Sequence, residues 1–149
     1  MRTNKRGIEL IKEFEGLRLK PYLCSAGKAT TGWGSTFYED GTPVKLTDKP
    51  ISRQRAEQLL INTIAEFEKQ LYPLLSGLIL TDNQFSAIVS FTFNVGIKNF
   101  KSSTLYKILK DNPNDKDIAG QFLRWNKVNK KELAGLTRRR QAEAKLYFS

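Results

Sequence analysis

The stretch EFEGLRLKPYLC, residues 13–24, holds two glutamates one residue apart and the chain's only cysteine, Cys24, nine residues after Glu15. At about 100° per residue, Ile8, Leu10, Ile11 and Phe14 define an apolar arc on a predicted helix. Glu9 and Glu13 fall opposite that arc and belong in water. Glu15 lies i+4 from Ile11 and i+7 from Ile8, so it projects from the edge of the apolar face. It also occupies the last turn, where the helix dipole disfavours a negative charge. Both effects favour the protonated carboxyl that a general acid needs. The bland alternative is a glutamate that swings out to water or pairs with an arginine.

Cys24 and Thr30 flank a predicted hairpin. If YLC and TTGW pair antiparallel, a five-residue loop from Ser25 to Ala29 sets Cys24 directly opposite Thr30, with Cβ atoms ~4.5–5.5 Å apart. A four-residue loop sets Thr31 there instead, and periodicity leaves both open. A lone cysteine is most often a small buried hydrophobe. Thr30 also has ordinary β-propensity.

Stepping along the chain gives the elements that must hold these groups. A helix is predicted over 4–15, stopped by Gly16. From Leu17 to Val44 the turn signals SAGK, GWG and EDG separate short runs, which predicts a small antiparallel β-region. A long helix begins at a Ser52 cap and is expected to stop at Pro73. Ala56, Leu59, Leu60, Thr63, Ile64 and Phe67 form its stripe, as for a helix linking two lobes. TDNQFSAIVSFTFNVG opens with Thr81 and Gln84 at capping-box spacing and is apolar nearly all round, which predicts a central buried helix. SSTLYKILKDNP must end as a helix by Pro113. DIAGQFLRWNK and LTRRRQAEAKLYF complete the helical part. The class is α+β: a β-rich lobe over 17–50, a linking helix over 52–73, and a helical lobe over 74–149 that includes the N-terminal helix.

Composition narrows the chemistry. The chain of 149 residues has no histidine, which removes Ser-His and Cys-His arrangements and the commonest metal ligand. One cysteine excludes an internal disulfide framework, and no metal cluster or cofactor motif is visible. The N-terminus has no apolar signal core, and no apolar run approaches the ~20 residues of a membrane span. Lys and Arg number 25 against 15 Asp and Glu, a net charge of +10. That excess is read either as a soluble surface rich in lysine or as the mark of an anionic partner: nucleic acid, a membrane surface or an acidic polymer. The basic residues are densest after Arg124, at Lys127, Lys130, Lys131, Arg138, Arg139, Arg140 and Lys145.

The stretch EFEGLRLKPYLCSAGKATTGWGST resembles the active-site segment of the phage-type lysozymes, family 24 of the glycoside hydrolases. That family places a Glu, then an Asp or Cys nine residues on, then a Thr six residues after that. Glu15, Cys24 and Thr30 match. FNVGIKNFKSSTL at 93–105 resembles the family's central-helix and cleft segment, and LRWN and GLTRRRQAE resemble its C-terminal helices. The resemblance implies a lysozyme-like α+β fold, with a small β-hairpin lobe and a helical C-terminal lobe joined by a long helix and the active site in the cleft. It implies cleavage of the β-1,4 bond between N-acetylmuramic acid and N-acetylglucosamine in peptidoglycan. Glu15 would be the general acid, and Cys24 with Thr30 would activate or supply the nucleophile. Phe93, Asn94 and Arg124 would contact substrate, and Arg138 would be a charge partner near the acid. The implied enzyme is a monomer without cofactor, metal or stable protein partner. It would be made in the host bacterial cytoplasm without a signal peptide and act on the wall from the periplasm. Its partners are peptidoglycan and the anionic envelope, and no nucleic-acid motif appears.

Two departures bear on mechanism. The second catalytic position is a cysteine where glycosidases usually carry a carboxylate. At a reference value of ~8.5, only a few per cent of a thiol is ionised at neutral pH unless its site lowers that value. A thiolate there could attack the anomeric carbon or activate water as a base. Ser35 stands where some relatives carry histidine, so no histidine-supported ion pair is expected on that side. The competing readings are a lytic transglycosylase, which uses a glutamate and needs no second carboxylate, and a non-enzymatic cationic module that binds envelope or nucleic acid.

Overall fold

A computed structural model describes all 149 residues. Seven helices and two small two-stranded sheets follow one another along the chain. They divide into two compact units, Ile11–Glu66 and Met1–Leu10 with Phe67–Ser149, and the division falls within helices α1 (Lys5–Glu15) and α2 (Arg53–Leu74).

In the first unit, strands β1 (Arg18–Leu23) and β2 (Ala29–Gly32) form an antiparallel hairpin. Tyr22 lies opposite Thr30 and Leu23 opposite Ala29. The Cys24 amide donates to the Lys28 carbonyl at 2.9 Å, which continues that register and leaves a loop of only Ser25, Ala26 and Gly27. Cys24 therefore lies opposite Lys28, not opposite Thr30 or Thr31. The physical reason is Gly27: its φ of 77° supplies the left-handed residue that closes a three-residue hairpin. Side-chain parity survives the correction. Cys24 and Thr30 still project from the same face, now as diagonal neighbours.

The core of this unit is Ile11, Trp33, Val44, Ile51, Ala56, Leu59, Leu60 and Ile64, all buried. Trp33 is held between two cations, with Lys12 Nζ 4.7 Å and the Arg53 guanidinium 5.5 Å from its ring centroid. Lys12 also pairs with Glu57 at 2.7 Å. Helix α2 runs to Leu74, one residue beyond the expected stop, because Pro73 sits in the last turn, where little helix remains to be broken.

The second unit is built on α3 (Asp82–Val95). The capping box forms as expected: the Gln84 amide donates to Thr81 Oγ1 at 3.0 Å and the Thr81 amide to Gln84 Oε1 at 2.9 Å. Every residue from Gln84 to Thr92 is buried, as the apolar run predicts. Around α3 come α4 (Ile97–Ser102), α5 (Thr104–Asp111) and α6 (Asp117–Leu123), and α7 (Ala134–Tyr147) packs along it. Phe91 is the hub, with Phe122 and Trp125 edge-on at 5.5 and 5.8 Å between ring centroids. Between α6 and α7 lies a hairpin the sequence reading missed, β3 (Lys127–Val128) and β4 (Lys131–Glu132). Its strands are too short to show an alternation, and its turn is Asn129-Lys130 instead of the Asn-Gly that signals such turns.

Candidate active site

The helical phase of α1 sorts its acids. Glu13 is exposed, whereas Glu15, the last helical residue, is half-buried. Glu15, Cys24 and Thr30 all lie in the first unit. Thr30 is buried and Cys24 half-buried.

The surroundings of the Cys24 thiol are its most informative feature. Burial pushes the thiol up, but hydrogen bonds from the Lys28 backbone, the Thr30 hydroxyl, and the backbones of Ala26 and Cys24 itself outweigh it. The net direction is down from the ordinary cysteine value, towards thiolate. Thr30 has a second acceptor within reach, since its Oγ1 donates to the Lys28 carbonyl at 2.9 Å. A hydroxyl has one proton and rotates freely. Thr30 can therefore leave the carbonyl and turn to the sulfur when the thiol ionises.

Tyr22 is a neighbour of these residues that the spacing argument passed over. It is half-buried, it lies opposite Thr30, and Arg18 stacks on its ring with the guanidinium 4.5 Å from the centroid. Burial pushes its phenol up, the Glu15 charge adds to that, and Arg18 opposes both before a smaller contribution from Cys24. One phenol thus feels Glu15 and Cys24 together. The signal in the sequence was parity: Tyr22 and Cys24 share a strand face.

The expected substrate contacts lie in the second unit. Phe93 is half-buried, its ring centroid 5.5 Å from that of Phe67. Asn94 is exposed beside it near the end of α3. Arg124 is exposed at the end of α6, with Nη1 3.4 Å from Gln121 Oε1. Arg138 is exposed on α7.

The next two arginines on α7 are buried instead. Arg140 Nη2 donates to Asn94 Oδ1 at 2.7 Å. Its Nε stands 2.9 Å from Glu143 Oε1, and its guanidinium lies 4.9 Å from the Phe91 ring centroid. Arg139 Nε approaches Glu143 Oε2 at 3.3 Å, and its Nη2 donates to the Ser90 carbonyl at 3.1 Å. The Ser90 hydroxyl donates to Glu143 Oε2 at 2.6 Å. Burial pushes the Glu143 carboxyl up, against the pull of Arg140, Arg139 and Ser90. This network fixes the side chain of exposed Asn94 from beneath. No group of three or more Cys, Asp or Glu is placed to hold a metal ion.

The Phage lysozyme family model matches residues 12–143. The endolysin of Acyrthosiphon pisum secondary endosymbiont phage 1 is 41% identical, over 100% of this chain and 99% of the relative. The endolysin of Bacillus phage B103 is 38% identical over the whole chain, which spans 55% of that relative's length. Among solved structures, an endolysin from an Escherichia coli phage, FAHEc1, superposes with a TM-score of 0.86 at 34% identity, covering 100% of this chain and 94% of that one. A mutant of P22 lysozyme gives 0.84 at 33% identity, covering 100% and 99%. The helices and small sheets described above are the lysozyme-like α+β fold of these neighbours, as the sequence resemblance implied. The chain belongs to the phage lysozyme family, glycoside hydrolases that act on peptidoglycan.

Proposed function

We propose that this chain is an endolysin that hydrolyses the β-1,4 bond between N-acetylmuramic acid and N-acetylglucosamine, with Glu15 as general acid and Cys24 as general base. The observation that carries the reading is that one compact unit holds Glu15, Cys24 and Thr30, with Cys24 and Thr30 on the same face of the β1–β2 hairpin; the downward direction of the Cys24 thiol agrees with the thiolate a base requires. Glu15 protonates the glycosidic oxygen as the bond to the anomeric carbon breaks. The Cys24 thiolate takes a proton from water as the water oxygen bonds to that carbon, and Thr30 orients either the water or the sulfur. Direct attack by water inverts the anomeric centre. A nucleophilic role for sulfur fits less well, because the resulting thioglycoside resists the protonation that would expel it. Phe93, Asn94 and Arg124 serve as substrate contacts, with Asn94 presented by the buried Arg140. Arg138 is the exposed charge partner of this reading. No cofactor is required, and one chain suffices.

No helix is long and apolar enough to cross a membrane. The reading has the enzyme made in the host bacterial cytoplasm and released to the wall, where its net charge of +10 draws it to an anionic envelope.

Purified peptidoglycan digested by the wild type, Glu15→Gln and Cys24→Ala tests this reading. The expected wild-type products are reducing N-acetylmuramic ends with inverted configuration by NMR, and both variants should lose most of that activity. Retained configuration would make sulfur the nucleophile, and 1,6-anhydro ends would make the enzyme a transglycosylase. Lysis that survived both substitutions would reduce the chain to a cationic binding module.

A further inference from the structure

The basic block after Arg124 splits in the structure. Arg139 and Arg140 turn inward, whereas residues 127–135, which include the whole β3–β4 hairpin, are exposed without interruption. The base of the hairpin is pinned: the Leu133 amide donates to the Asn126 carbonyl at 2.9 Å, and Asn126 Nδ2 donates to Thr137 Oγ1 on α7 at 3.1 Å. Beyond that base every residue of the two strands is exposed. A two-stranded hairpin with no buried face gains little stability from its own side chains.

Its charges are arranged on three sides. Lys127 pairs across the ladder with Glu132, and Val128 with Lys131, so adjacent pairs face opposite ways. Lys127 has an acid opposite it. Lys131 faces Val128 and has none in its pair, and Lys130 occupies the tip. That tip is the telling position. Asn129 and Lys130 have φ of 50° and 68° and are the chain's only non-glycine residues at positive φ, while seven glycines fill the other such positions. Asparagine tolerates the left-handed region, but lysine gains nothing from it, and glycine would be the stabler occupant. The strained lysine sits exposed in the turn that joins the two strands.

We propose that the β3–β4 hairpin docks on the carboxylate-bearing peptide stems of peptidoglycan through Lys130 and Lys131, with Lys127 assisting. This inference rests on peptidoglycan being the substrate and adds a second recognition element to the sugar-cleaving one. A lysine ammonium is a compact point charge on a flexible stem. It suits carboxylates presented at variable positions better than a rigid bidentate site would.

The test measures binding to insoluble, phosphate-free peptidoglycan on a Glu15→Gln background, with the hairpin intact or carrying K127Q, K130Q and K131Q together. The triple variant is expected to bind roughly tenfold more weakly, the effect of three exposed charges. The difference should vanish on the same peptidoglycan after its carboxylates have been converted to neutral amides. Lys130→Gly alone should keep or raise the Tm yet weaken binding. Equal binding by intact and triple-variant protein would overturn the proposal, as would a difference that persisted on the amidated polymer. A difference that appeared only once phosphate polymer was restored would also overturn it, by assigning the surface to another anion. The two readings fail separately. Product release by Glu15→Gln refutes the acid assignment, whereas the hairpin result is a difference between two proteins on one background.

Discussion

Glu143→Gln is the most demanding substitution this structure offers. It keeps the side-chain shape and an acceptor for the Ser90 hydroxyl at 2.6 Å, but it removes the charge and turns an amide NH2 donor towards Arg140 Nε in place of the second oxygen. That charge faces Arg140 Nε at 2.9 Å and Arg139 Nε at 3.3 Å, in a site where Glu143 and Arg140 are 0% exposed and Arg139 is 3% exposed. Losing one member of a buried ion pair costs about 3–5 kcal/mol, chiefly because the partner charge stays out of water without it. An exposed pair in the same geometry would be worth at most about 1 kcal/mol. For a chain of this size each kcal/mol moves the Tm by roughly 2–4 °C, so the expected fall is about 6–20 °C. Urea unfolding followed by far-UV circular dichroism measures the loss directly, with an unchanged m-value showing that the unfolded state is unaltered. Ser90→Ala provides the scale, since it removes one hydrogen bond, worth about 1–3 kcal/mol, and leaves the charge in place. A Glu143→Gln loss below about 1 kcal/mol would refute the argument, because the cluster would then behave like a surface pair despite its burial.

Two further substitutions test the local arguments. Thr30→Val keeps the shape of the buried strand and removes one of the bonds that lower the Cys24 thiol. With Cys24 as the proposed base, the rate should rise with pH as the thiol ionises, so the acidic limb of the pH–rate profile should move to higher pH in the variant, and a limb that stayed in place would separate Thr30 from the sulfur. Gly7→Ala should destabilise by about 1–3 kcal/mol in thermal melts, the cost of overpacking, because a Cβ there would lie 2.6 Å from Ser86 Cβ and 3.1 Å from Thr3 Cγ2; an unchanged Tm would mean that α1 can shift freely away from α3.

Much of the frame was legible because it rests on periodicity and on local chemistry that tertiary structure does not override. The phase of α1 separated Glu13 from Glu15, the Thr81–Gln84 box began α3, and the apolar run of α3 announced its burial. The hairpin register was not read correctly, although SAGK already placed a glycine third in the loop, where a three-residue turn needs a left-handed residue. The buried face of α7 was hidden for a different reason. Arg139, Arg140, Glu143, Leu146 and Tyr147 are spaced as a core stripe, at i, i+1, i+4, i+7 and i+8. Three of the five are charged, so a reading by hydropathy sends the stripe to solvent. Pairing rules could have recovered it, because Glu143 is i+4 from Arg139 and i+3 from Arg140.

The same division explains why net charge alone could not identify a partner. A sum of +10 counts Arg139 and Arg140 equally with Lys130 and Lys131. The buried arginines meet a carboxylate within the fold and act over ångströms, where salt has little access. The hairpin lysines stand in water, where a charge acts over about a Debye length and is screened by ions. Only the second set can attract a polymer, and only its contribution should fade with ionic strength. On the proposal above, one basic segment serves two purposes, holding Asn94 in place from within and reaching outward for an anionic wall. The boundary between them falls where the exposed hairpin gives way to α7, whose buried face carries Arg139 and Arg140.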